Sequence, residues 1–143
     1  MKKIKYIDLF AGIGGFRYGF ESACTELGIS AKCVFTSEID KYAIKTYVDN
    51  FGKCNIYGDI SLLKTKDISS LVPNHDLLLA GFPCQPFSQA GHKKGFDDTR
   101  GTLFFDVAQI IKKRNPKALK NGLRKPNQRY SSAGIKTLMI ARF

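Results

Sequence analysis

The apolar run Lys5-Tyr6-Ile7-Asp8-Leu9-Phe10 passes straight into Ala11-Gly12-Ile13-Gly14-Gly15, and this junction constrains the fold more than any other part of the chain. A short buried strand that ends on closely spaced glycines and continues into a helical stretch from about Phe16 to Leu27 is the opening of a strand, tight turn and helix unit. The same rhythm follows. Lys32-Cys33-Val34-Phe35-Thr36-Ser37-Glu38 reads as a second strand, and Asp40 as the N-cap of a helix running to about Asn50. A third, short strand at Asn55-Ile56-Tyr57 ends at Gly58-Asp59, and His75-Asp76-Leu77-Leu78-Leu79-Ala80 is a strongly apolar fourth. Strands alternating with helices imply an α/β fold built on a parallel, Rossmann-like sheet, whose ligands bind at the carboxyl ends of the strands. A long polar loop from Phe82 to about Asp98 contains Gly91 and Gly95, and a helical pattern runs from Thr102 to about Arg114. The 143 residues suit one domain with a real core.

The glycine turn lets backbone approach a ligand, and the helix after it presents free N–H groups and a positive dipole end to an anionic group. By itself such a turn can equally do no more than pack helix on strand. Glu38, at the end of the second strand, adds a carboxylate placed to accept both hydroxyls of a ribose. Asp59 adds a second one placed to accept from an adenine amino group, with Ile60 as an apolar wall; the alternative for Asp59 is a turn or N-cap role. An adenosine-containing cofactor follows, and nicotinamide and sulfonium cofactors both contain adenosine. The third glycine of the dinucleotide fingerprint falls at Arg17, whose bulk opposes close seating of a pyrophosphate, so S-adenosylmethionine is favoured.

Cys84 stands between Pro83 and Pro86 directly after the fourth strand, in a stiff turn at the ligand-binding edge. A thiolate there is suited to add to a soft electrophilic carbon such as C6 of a cytosine, which makes C5 nucleophilic. Cys24, Cys33 and Cys54 offer no Cys-x-x-Cys pair with one another or with Cys84, so neither a structural metal nor a dithiol is expected. Without a secretory pattern or an apolar run of eighteen residues, the chain reads as soluble, cytoplasmic and reduced.

Three segments in order, Asp8 to Gly15, Gly81-Phe82-Pro83-Cys84-Gln85-Pro86-Phe87-Ser88, and Lys94 to Asp106, resemble successive motifs of the cytosine-C5 DNA methyltransferase family over about residues 4 to 117. The resemblance implies a sheet with S-adenosylmethionine at its carboxyl edge and double-stranded DNA, with one cytosine flipped out, as substrate. Carried onto this chain, it implies that Phe10, Ala11, Gly12 and Gly14 border the cofactor, that Glu38 holds the ribose, and that Ile39 stacks on adenine. Asp59 and Ile60 would flank the adenine edge, Pro83 and Leu103 would complete the wall near the transferred methyl, and Cys84 would be the nucleophile. Gln85, Ser88, Gln89 and Arg100 are substrate-contact candidates by the same resemblance, on a segment that resembles the family's mobile catalytic loop.

The family pattern then calls for a fifth strand carrying Glu-Asn-Val, and Asn115-Pro116-Lys117-Ala118-Leu119 begins like that strand but continues as Lys120-Asn121-Gly122-Leu123. No glutamate follows Glu38, so the acid that activates the ring at N3 is absent, an assistance generally worth about 3–5 kcal/mol of barrier. Charge changes at the same place. Residues 1–111 hold 13 Lys and Arg against 12 Asp and Glu, whereas residues 112–143 hold 10 basic residues and no acidic one. We therefore expect a catalytic and cofactor-binding part over 1–114, a basic tail over 115–143, and an exposed edge at strand four or its neighbour. A chain with little activity alone follows, or one completed by a second chain that supplies the missing motifs; a tRNA cytosine-C5 methyltransferase and a non-catalytic nucleic-acid-binding remnant are the alternatives.

Overall fold

A computed structural model describes residues 3–81 and 99–121 of the chain. Five strands, β1 (Lys3–Leu9), β2 (Ser30–Ser37), β3 (Ile56–Tyr57), β4 (Leu77–Ala80) and β5 (Ala118–Asn121), form one sheet in the order β3-β2-β1-β4-β5. All four pairings are parallel. The chain starts in the middle of the sheet, steps outward to β2 and β3, then crosses back to the other side of β1 for β4 and β5. That reversal opens a crevice at the carboxyl ends of β1 and β4.

Among the described residues four helices connect the strands, α1 (Gly15–Glu26), α2 (Lys41–Phe51), α3 (Ile68–Leu71) and α4 (Thr99–Arg114), with a 3-10 turn at Ile60–Leu62. Asp40 caps α2 as its sequence position suggests, its Oδ1 accepting from the backbone N–H groups of Tyr42 and Ala43 at 2.9 and 2.8 Å. Alternation along β1 separates two cores. Ile7 and Leu9 face an apolar layer with Leu78, Ala80, Ile60, Ile68, Val72, Val107 and Ile110. Tyr6 faces the other way with Leu77 and Leu79, against Phe16 and Phe20 of α1. In β2 the register shifts between the partners of Tyr6 and Ile7, which pair with Cys33 and Phe35, so Val34 is an extra residue. The bulge turns Cys33 and Thr36 to the same side, where their side chains meet at 3.4 Å.

The fifth strand corrects the expectation drawn from Lys120-Asn121-Gly122-Leu123. β5 runs parallel to β4, pairing Leu77 with Ala118 through Ala80 with Asn121, so the sheet extends beyond residue 114 and β4 is an inner strand. Asp76 organises its start. The Asp76 carboxylate accepts from the Lys5 backbone N–H at 3.0 Å and from Lys117 Nζ at 2.7 Å, while the Asp76 carbonyl accepts from Ala118 N at 3.0 Å. One residue thus joins the first turns of β1, β4 and β5. At the end of α4, the Arg114 guanidinium donates to Asn74 Oδ1 at 2.8 Å and to the carbonyls of Ile68 and Ser69, fixing α4 on α3. Among the described residues no helix is long and apolar enough to cross a membrane.

Candidate cofactor site and family membership

At the carboxyl edge a cavity of about 260 Å³ is lined by residues that follow the ends of four strands: Phe10 after β1, Ser37, Glu38 and Ile39 at β2, Gly58, Asp59 and Ile60 after β3, and Gly81 after β4. Leu103 of α4 closes it. Six of the ten cofactor candidates named from the sequence therefore share one cavity. Its walls mix two carboxylates with apolar side chains. Ile39 is 71% exposed and offers a free apolar face, whereas Ile60 is 2% exposed and is held as floor by the apolar core.

Glu38 is committed in part to the protein's own backbone. Its Oε2 accepts from Gly12 N at 2.7 Å, and its Oε1 accepts from Ile39 N and Asp40 N at 2.8 and 2.9 Å. A carboxylate offers about four acceptor sites, so the three internal bonds hold the group rigidly and leave capacity on Oε2. The Gly12 N–H serves to fix Glu38. Asp59 takes the cap role considered for it: Oδ1 accepts from Ser61 N at 2.9 Å at the start of the 3-10 turn, and Oδ2 has no hydrogen-bond partner among the described residues. Asp106 on α4 feels this carboxylate; burial first, and Asp59 second, push its carboxyl above the ordinary range.

Ala11 is buried and donates its N–H to Ser37 O at 3.0 Å, so it supports the cavity without lining it. Phe10 adopts φ 53°, a left-handed conformation that costs an L-residue about 1–2 kcal/mol and here sits at the cavity edge. Gly14, with φ 92°, is the N-cap of α1 and also lies off the cavity lining. A Cβ there would come 2.1 Å from the Phe51 ring, so its smallness serves the contact of the turn with α2. The α1 N-terminus has no side-chain cap. Gly81 is likewise restricted, since a Cβ would lie 3.0 Å from the Phe10 carbonyl oxygen.

Beneath the glycine turn lies a polar cluster that the sequence reading did not assemble. Asp8 is fully buried; its Oδ2 accepts from the Tyr47 hydroxyl at 3.3 Å, and its Oδ1 has no partner among the described residues. Burial pushes the Asp8 carboxyl up to about 7, against the opposing effects of the Tyr47 hydrogen bond and the Arg17 charge. Tyr47 also meets Thr36 Oγ1 at 3.2 Å and accepts from Arg17 Nη1 at 3.3 Å. The Arg17 guanidinium lies 4.3 Å from the Phe51 ring centroid and is paired with Glu21 at 3.1 Å. The residue that broke the dinucleotide pattern is thus a tie between α1 and α2. A carboxylate inside an apolar strand was the signal available for this cluster.

Pro83, Cys84, Gln85, Ser88 and Gln89 lie outside the described residues. Arg100 stands in the first turn of α4, and its side chain is also outside them. Among the described residues no cluster of His, Cys, Asp and Glu is arranged to hold a metal ion.

The chain is similar to known proteins. The chain is 58% identical over 114 residues to the type II methyltransferase M.NlaX of Neisseria lactamica, covering 80% of this chain and 34% of that protein. It is 61% identical over 116 residues to the type II methyltransferase M1.ScrFI of Lactococcus lactis subsp. cremoris, covering 81% and 27%. The crystal structure of the S. pombe Dnmt2 methyltransferase superposes with a TM-score of 0.59 at 28% identity, over 81% of this chain and 34% of that one. The chain thus spans about a third of the length of the relatives it matches. With the family model for C-5 cytosine-specific DNA methylases matching residues 4–121, the chain belongs to that family.

Proposed function

We infer that this chain takes part in methyl transfer from S-adenosylmethionine to C5 of cytosine in double-stranded DNA, with Cys84 as covalent nucleophile. The observation that carries the reading is the cavity at the carboxyl edge, where Glu38, Ile39, Asp59 and Ile60 converge from two successive strand ends next to the Phe10 turn. Glu38 would receive a ribose hydroxyl on the remaining acceptor site of Oε2, Asp59 Oδ2 the adenine amino group, and Ile39 and Ile60 the two faces of the ring. Phe10, Gly12, Gly14 and Leu103 would border the methionine side, joined by Pro83. The bound cofactor would supply an electrophilic methyl group on its sulfonium.

Cys84 follows the end of β4 by four positions in the sequence, and Gly81, the last described residue before it, lines this cavity. Its thiolate adds to C6 of the flipped cytosine, forming an Sγ–C6 bond and placing electron density on C5. Once C5 carries the methyl group, loss of the C5 proton drives elimination of the thiolate and restores the ring. Gln85, Ser88, Gln89 and Arg100 would contact the nucleotide or the space it leaves. The type II names of the relatives support a role in DNA modification within a restriction-modification system, which would be carried out in the cytoplasm.

A second reading, in which another chain supplies the ring-activating acid and the target-recognition region, is favoured by β5, which is an edge strand among the described residues and offers an unpaired backbone. Both readings are tested by incubating the full chain with cofactor and a 5-fluorocytosine duplex. A denaturation-resistant adduct that disappears in Cys84→Ala is expected, slow with this chain alone and faster with a complementing partner. Adduct formation by Cys84→Ala would overturn the assignment of the nucleophile.

A further inference from the structure

We propose that Ser37 is a positioning residue that sets the selectivity of the cavity for a 6-amino purine. The inference rests on the cofactor reading above and adds a residue and a specificity to it.

Ser37 is the last residue of β2 and is 2% exposed, so its hydroxyl is not displayed for solvent. The side chain donates to the Gly58 carbonyl at 2.7 Å, and the Ser37 carbonyl accepts from Ala11 N at 3.0 Å. One residue therefore ties the glycine turn after β1 to the turn after β3. Beside it, Glu38 N donates to Tyr57 O at 3.1 Å, the last regular bond between β2 and β3, which is only two residues long. Beyond Tyr57 the ladder stops, and the Ser37 hydroxyl takes over as the link that holds the next peptide.

The Gly58–Asp59 peptide is the one this bond orients. Asp59 is held from one side by capping Ser61 N through Oδ1, and from the other by the fixed Gly58 carbonyl. With both restraints in place Asp59 is held in the cavity lining, and Oδ2, the carboxylate oxygen that the cap does not use, is the acceptor it can offer to a donor on a ligand. A purine with an amino group at C6 supplies that donor. One with a carbonyl there brings an acceptor against a carboxylate, and discrimination depends on how rigidly the carboxylate is held. Without the Ser37 hydroxyl the Gly58 carbonyl loses its partner and the glycine peptide is free to rotate, so Asp59 can retreat from the mismatched ligand.

The test is calorimetric titration of the full chain with S-adenosyl-L-homocysteine and with S-inosyl-L-homocysteine, in which a carbonyl replaces the 6-amino group. The unsubstituted chain is expected to prefer the adenine ligand by about tenfold or more. Ser37→Ala should lower that preference to about threefold or less, chiefly by improving relative binding of the inosine ligand. Ser37→Thr, which keeps the hydroxyl, should restore it, a rescue that a purely structural role would not require. Ser37→Cys keeps the volume with a weak donor and serves as the second loss variant if Ser37→Ala does not fold. A chain that binds neither ligand overturns the cofactor reading and this inference with it. A chain that discriminates as well after Ser37→Ala or Ser37→Cys as before overturns the inference about Ser37 alone.

Discussion

The two faces of the sheet are built on opposite principles. The face covered by the 3-10 turn, α3 and α4 is sealed by aliphatic side chains from every element it contains, Ile7, Leu9, Leu78, Ile60, Ile68, Val72, Val107 and Ile110 among them. The face under α1 and α2 mixes apolar contacts with a polar cluster of Asp8, Thr36, Tyr47, Arg17, Glu21 and Tyr6. Both faces come from the same strand, because alternation along β1 sends Ile7 and Leu9 one way and Tyr6 and Asp8 the other. The apolar face supplies most of the burial. The polar face fixes directions: it sets how α1 leaves the glycine turn and how α2 lies across the turn, which an oily contact would leave freer to slide.

The largest effect should come from the apolar face. Leu78→Ala removes a fully buried side chain from the middle of β4 and should destabilise the chain by about 2–5 kcal/mol, independent of pH between 5 and 8, in urea melts. Next is Gly14→Ala, which combines a left-handed backbone with a collision against Phe51 and should cost about 2–4 kcal/mol while lowering cofactor affinity. Tyr47→Phe leaves Thr36 and Asp8 Oδ2 short of a partner and should cost about 1–3 kcal/mol in the same melts.

The smallest effect, and the one that sharpens the contrast most, has the opposite sign. The Asp8 carboxyl is pushed up to about 7 from an ordinary 3.8, so the folded chain binds a proton there that the unfolded chain releases at lower pH. Its contribution to stability is fully present below about pH 4, is lost as pH rises to about 7, and is constant above that. Asp8→Asn removes the charge, and its amide needs an acceptor in the same space, so a gain on the order of 1–2 kcal/mol above pH 7 is expected, vanishing at pH 4. A gain that is the same at pH 4 and pH 8 would mean that the charge is not the cause. A pH-dependent loss in Leu78→Ala would blur the distinction between the faces.

How much of this was legible follows from what each element depends on. β1, β2 and β4 carry enough local apolar signal to be placed to within two residues, and α2 was placed to within one by the Asp40 cap. β5 is not legible as a complete strand because Lys120 and Asn121 break the apolar run, yet the ladder to β4 and the Asp76 bonds determine it. The cavity is legible where a side-chain type carries the message, as with Glu38, Asp59 and Ile60, whereas Ile39 comes from the family resemblance. It was not legible at Ser37 and Gly58, which act through a hydrogen bond between two strand ends, and no local pattern encodes that. Asp8 and Arg17 each look anomalous in sequence, one as a charge in an apolar strand and the other as a bulky side chain in a glycine pattern. Tyr47, 30 positions after Arg17, joins them only in three dimensions.

The central claim is that the carboxyl edge of this sheet is an S-adenosylmethionine site, and the most direct measurement is calorimetric titration of the full folded chain with that cofactor, beside Glu38→Gln. Saturable binding at one site per chain, weakened about tenfold or more by Glu38→Gln, is the predicted result. Absence of binding up to millimolar cofactor, or binding unaffected by Glu38→Gln, would contradict it.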